Sequence, residues 1–156
     1  SGADKVVIGS ALTSGPSVIS DAAKHFGSQA IVGSVDSTDD SGRSISTQSG
    51  TKLESLSALE AVRFLESLGV GEILLQSVSR DGLRTGMDLR MISQVCEITQ
   101  VPVIASGGAG DYEHLYSALV SGASAVAAGA MFQFTQQTPK GAREYLAARG
   151  IPVRQS

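Results

Sequence analysis

Two carboxylates and one glycine-rich turn stand where buried strands are expected to end. Asp36 closes the apolar run Ala30-Ile31-Val32-Gly33-Ser34-Val35. A carboxylate at such a rim, partly withdrawn from water, suits general acid or base work. Capping of the following turn is the competing reading. Asp81 follows the next apolar strand in Ser77-Val78-Ser79-Arg80-Asp81-Gly82. A tight turn accounts for Gly82 and Gly86, and a helix N-cap for Asp88, but neither accounts as well for Asp81. In Val101-Pro102-Val103-Ile104-Ala105-Ser106-Gly107-Gly108-Ala109-Gly110 a strand runs into three glycines within four residues, followed by Asp111 and a helical pattern. Backbone N–H groups at such a turn can cradle a phosphate. Small residues at two other strand ends, Gly9-Ser10 and Gly129-Ala130, allow the same chemistry. Phosphate held between Gly107-Gly108 and Gly129-Ala130 is the strongest inference from these residues alone.

The elements that must position these groups alternate from end to end. Apolar runs at Lys5–Ile8, Ala30–Val35, Glu72–Gln76, Pro102–Ala105 and Ala125–Ala128 predict strands. Helical patterns follow at about Ser17–Phe26, Ser57–Leu68, Asp88–Thr99, Tyr112–Val120 and Pro139–Arg149. Five strand–helix units imply right-handed crossovers and a parallel sheet. The expected fold is α/β, a partial (βα)8 TIM barrel in one domain, residues 1–156. Five units are too few to close such a barrel, so the missing ones are expected on another chain or lost from this one, or self-association covers the open edges. The opening Ser1-Gly2-Ala3-Asp4-Lys5 reads as a helix end entering a strand, as in a piece of a longer alternating protein. The polar insertion between Asp36 and Lys52, with a hairpin expected around Asp40-Ser41-Gly42, reads as a functional loop at a strand's carboxyl end.

Composition narrows the function classes. Net charge is −3, with 17% charged and 4% aromatic residues, so there is no basic surface for nucleic acid. No apolar run approaches a membrane span. The one cysteine, Cys96, reads as a small core residue in a reducing compartment, and a cytoplasmic location is expected. His25 and His114 lack metal-ligand spacing and read as solvated helix residues; Phe132 and Phe134 read as packing. No metal or cofactor is expected.

Several segments in one order carry a resemblance: Ala3-Asp4-Lys5-Val6, Phe26-Gly27-Ser28-Gln29-Ala30, Gly71-Glu72-Ile73-Leu74-Leu75, Arg80-Asp81-Gly82, Ile104-Ala105-Ser106-Gly107-Gly108-Ala109-Gly110 and Gly150-Ile151-Pro152-Val153-Arg154. Together the chain resembles the cyclase-subunit family of imidazole glycerol phosphate synthase, from that barrel's fourth strand to its end. The resemblance implies an ammonia-dependent lyase of histidine biosynthesis. Its substrate is a bisphosphorylated aminoimidazole carboxamide ribonucleotide in the ribulosyl form. Its products are imidazole glycerol phosphate and aminoimidazole carboxamide ribotide, and a glutaminase partner delivers ammonia through the barrel. Asp36 then matches one of two opposed acid–base aspartates, the other belonging to a first strand this chain does not contain. Asp81 and Ser49 match polar active-site positions. Gly82, Gly107, Gly108, Gly129 and Ala130 match one phosphate site and Ser10 part of the other. Asp4, Lys5 and Glu72 match the ammonia entrance beside the partner. Where the family has Asn-Thr, Asp-Arg-Asp-Gly-Thr and a lysine, this chain has Gly9-Ser10, Ser79-Arg80-Asp81-Gly82-Leu83 and Thr38. These departures also fit a paralogue that passes ammonia to an amidotransferase of surface-polysaccharide sugar synthesis, or a phosphate-binding half-barrel without turnover.

Overall fold

Period-two burial and short glycine-ended connections give a sheet with helices on one side. A computed structural model describes residues 2–39, 42–47 and 51–154. In chain order the elements are β1 (Val6–Ile8), α1 (Ala11–Ser14), α2 (Pro16–Phe26), β2 (Ile31–Ser37), β3 (Ile45–Thr47), β4 (Lys52–Glu54), α3 (Ala58–Ser67) and β5 (Glu72–Ser77). They continue with α4 (Leu89–Ile98), β6 (Val103–Ser106), α5 (Tyr112–Val120), β7 (Ala125–Ala127), α6 (Ala130–Phe134) and α7 (Pro139–Ala148). Strands β1, β2, β5, β6 and β7 pair in that order, all parallel. This is the architecture of a partial (βα)8 barrel.

Side-chain alternation divides the sheet into two unlike faces. Ile31, Val35, Ile73, Leu75, Val103 and Ala105 are buried against the helices. Gly33 belongs to this face, where a Cβ would come within 2.9 Å of Leu65 Cδ1. Leu65 lies with Ala58, Ala61 and Val62 on the fully buried stripe of α3. That helix starts on a capping box, with the Glu60 N–H donating to Ser57 Oγ and the Glu60 carboxylate accepting from the Ser57 N–H. The Ser57 hydroxyl, donating to Glu60 Oε2 at 2.6 Å, and then the Ser57 N–H hold the Glu60 carboxyl below its usual range. The opposite face carries Val32, Ser34, Asp36, Leu74, Gln76, Ile104 and Ser106, and only Val32 among them is fully buried. At the β1 edge Val6 and Val7 are 51% and 56% exposed.

Polar residues do not stop a strand whose two sides both find partners. Strand β2 therefore runs two residues past the expected end at Val35, with Asp36 and Ser37 paired to Gln76 and Ser77 on one side and to Ser46 and Ile45 on the other. The described residues of the insertion are ordered by this pairing. β2 and β3 are antiparallel across residues 38–44, with the Gly42 N–H on the Asp39 carbonyl at 3.1 Å, although Asp40 and Ser41 lie outside the described residues. β3 then pairs with β4. Glu54 Oε1 anchors this hairpin, accepting from Lys52 Nζ at 2.9 Å, from Thr47 Oγ1 at 2.9 Å and from Thr13 Oγ1 of α1 at 3.0 Å. Lys52 first, then the two threonines, hold the Glu54 carboxyl below the ordinary carboxylate range, against the opposing effect of burial.

Candidate active site

The parallel register sets a row of side chains across the carboxyl ends of four strands. Asp36 is opposite Gln76, Gln76 opposite Ser106, and Ser106 opposite Ala127, all on the uncovered face. Neighbouring strands are about 4.8 Å apart, so Asp36 and Ser106 lie roughly 10 Å from each other. One turn of pleat lower on the same face, Ser34 donates from Oγ to Asp36 Oδ1 at 2.9 Å. This bond orients one carboxylate oxygen.

Above Ser106 the chain makes the expected glycine turn, and here glycine is obligatory. Gly107 and Gly108 both have φ of +91°. A Cβ on Gly107 would meet the Ser77 carbonyl at 2.4 Å, and one on Gly108 the Gly86 carbonyl at 2.3 Å. The Gly86 N–H donates to the Gly108 carbonyl at 2.8 Å, joining the turn to the loop after β5. Gly129 differs, because its φ is −121° and a Cβ there would touch no protein atom. It is the N-cap of α6, a short helix the sequence reading did not anticipate; the first N–H groups of any helix lack intrahelical partners.

These segments converge. One recess is walled by Ser106–Ala109, by Ala127–Ala130 and by Asp81 with Gly82. It brings together six of the residues singled out in the sequence: Asp81, Gly82, Gly107, Gly108, Gly129 and Ala130. Backbone amides and a helix start suit an anion there. The exposed Asp81 carboxyl stands at the edge of this recess, where a carboxylate would disfavour a second negative charge beside it and could accept from a hydroxyl. A larger hollow of about 490 Å³ lies along β7 and the tail, among Leu119, Val126, Arg143 and Ile151–Arg154, away from every strand-end carboxylate.

The remaining sequence candidates fall in three places. Ser10 precedes α1 beyond the end of β1, where neighbouring Gly9 sits with its Cβ position 3.5 Å from Ser34 Cβ. Lys5 pairs with Glu72 across β2 at the opposite end of the sheet, with exposed Asp4 beside it. Ser49 lies outside the described residues.

Sequence reasoning passed over two residues that hold the glycine turn. His114 Nδ1 accepts from the Gly110 N–H at 3.1 Å, so His114 is a turn anchor rather than a solvated helix residue. Its place in the first turn of α5, four residues after a glycine, was the available signal. Gln137 Nε2 donates to the Gly110 carbonyl at 2.7 Å from a distant segment, and no local pattern announces it. Phe132 packs against the core while Phe134 is exposed. Among the described residues no cluster of His, Cys, Asp and Glu is arranged to hold a metal ion, and no helix is long and apolar enough to cross a membrane.

Comparison with known proteins points the same way. A family model described as "Histidine biosynthesis protein" matches residues 1–138. The chain is 43% identical over 155 residues to the imidazole glycerol phosphate synthase subunit HisF of Chlorobium phaeobacteroides (strain BS1). The match covers 98% of this chain and 62% of that relative, so the chain spans less than two thirds of the length of the curated protein it resembles.

Proposed function

Because the chain belongs to the histidine biosynthesis protein family, we propose that it is the phosphate-gripping, acid–base portion of an ammonia-dependent cyclase. The substrate proposed is the bisphosphorylated aminoimidazole carboxamide ribonucleotide in its ribulosyl form, and the products are imidazole glycerol phosphate and aminoimidazole carboxamide ribotide. One observation carries this reading: the recess in which the Gly107-Gly108 turn, the start of α6 and Asp81 face one another beside the Asp36 row. In it, one phosphate of the ligand rests on the glycine turn and the amides at Gly129-Ala130. The ligand body lies across the uncovered face, where Asp36, steadied by Ser34, gives and takes protons. Asp81 accepts from ligand hydroxyls. Ser10 contributes to the grip on the second phosphate, and Ser49 belongs to the same set by resemblance alone. At the far end Asp4, Lys5 and Glu72 form the surface toward a glutaminase partner and the path for ammonia.

A cyclase of this kind needs a second carboxylate opposite Asp36, so this segment alone is expected to turn over very slowly. The test supplies the substrate and an ammonium salt to the chain mixed with a fragment carrying the barrel strands that precede it in the relatives. Imidazole product from the mixture, abolished by Asp36→Asn, supports the proposal. Phosphate binding without product in any mixture refutes the cyclase reading and favours a binding half-barrel.

A further inference from the structure

The buried carboxylate of Asp88 is only half used by the fold. Oδ1 caps α4, accepting the Met91 N–H at 3.0 Å. Oδ2 is buried without a hydrogen-bond partner, in a residue only 7% exposed. A polar oxygen in that position is costly unless something donates to it.

What lies beside it is a small hollow at the carboxyl ends of the central strands. Its walls are Ser37 at the end of β2, Ser77 at the end of β5, Ser106 at the end of β6, Asp88 itself, and the apolar Leu75, Met91 and Ile92. The space open to the centre of a water molecule is about 10 Å³. That is close to the minimum for one ordered water, roughly 10–15 Å³, and far too small for phosphate or any organic ligand. The two hydroxyls have capacity to spare. Ser37 Oγ donates to the Asp39 carbonyl at 3.0 Å, which leaves its lone pairs open, and Ser77 Oγ has a long 3.4 Å contact with Ser79 Oγ.

We propose that this hollow is a binding site for a single ordered water that donates to Asp88 Oδ2 and bridges it to the Ser37 and Ser77 hydroxyls. The site ties the start of α4 to the ends of two strands. Ser37 directly follows Asp36, and the Ser77 carbonyl is the group against which Gly107 is packed. Asp88 thereby ties the start of α4 to the strand ends next to Asp36 and the glycine turn. This inference rests on packing alone and stands whether or not the chain is a cyclase.

A crystal structure of the unmodified chain tests it directly. The expected result is density for one water at hydrogen-bond distance, about 2.5–3.0 Å, from Asp88 Oδ2 and from at least one of the two serine hydroxyls. An empty hollow, or a serine hydroxyl bonded straight to Oδ2, overturns the proposal. In solution, water relaxation dispersion counts long-lived internal waters. Asp88→Ser keeps a capping oxygen for Met91 but removes Oδ2, and is expected to retain helix content while losing one such water. An unchanged count contradicts the site.

Discussion

The two halves of the strand-end rim are built differently. On the β5–β7 side the groups proposed to face the ligand are backbone: Gly107 and Gly108 are pressed against the Ser77 and Gly86 carbonyls, and Gly110 is held by His114 on one side and Gln137 on the other. On the β1–β2 side the proposed reactive group is a side chain, Asp36, held by one hydroxyl from Ser34 and flanked by a hairpin that Glu54 fastens to α1. The first half has its shape fixed by packing before any ligand arrives. The second presents a reactive atom on an open face. Binding and proton transfer are therefore separable here, and substitutions should divide them.

The largest effect is expected at Asp36. Asp36→Asn keeps the side-chain shape and the partner for Ser34 but removes the titrating group. Turnover in the reconstituted assay should fall about 10²–10⁴-fold, with phosphate affinity and melting temperature little changed. Gly108→Ala attacks the other half. It forces a side chain into the left-handed region against a backbone carbonyl, and a loss of about 1–3 kcal/mol in denaturant unfolding is expected together with loss of phosphate binding. His114→Ala leaves the Gly110 N–H without its acceptor, at a cost of about 1 kcal/mol, and should weaken phosphate binding without touching the Asp36 row.

The smallest effect is a pH dependence of the hairpin. Because the folded state holds the Glu54 carboxyl below its unfolded value of 4.5, its contribution is fully present above that value and fades as pH falls through the lower folded one. Amide protection in β3 and β4, taken relative to the intrinsic exchange rate at each pH, should fall in that acid window, and Glu54→Gln should abolish this pH dependence. Protection that stays constant through the window in the unmodified chain removes Glu54 as the anchor.

The same division explains what could be read from the sequence. Residues acting through backbone conformation announce themselves locally, because a strand ending in Ser106-Gly107-Gly108 has few structural outcomes. The five strands and their helices were legible from apolar runs for the same reason. Asp36 was visible as a carboxylate out of place, but the extension of β2 beyond it was not, since that depends on partners in β3 and β5. His114 and Gln137 were missed because their roles arise from tertiary proximity to Gly110. Short α6 was missed because Ala130–Phe134 is too brief for a periodic signal.

The central claim is that the glycine turn and the start of α6 form one anion cradle. Titrating the chain with inorganic phosphate while following backbone amide resonances tests it most directly. The account predicts saturable shifts confined to Gly82, Gly107, Gly108, Gly129, Ala130 and their immediate neighbours, lost in Gly108→Ala. Resonances in this recess that stay fixed while phosphate binds elsewhere, or does not bind at all, would contradict it.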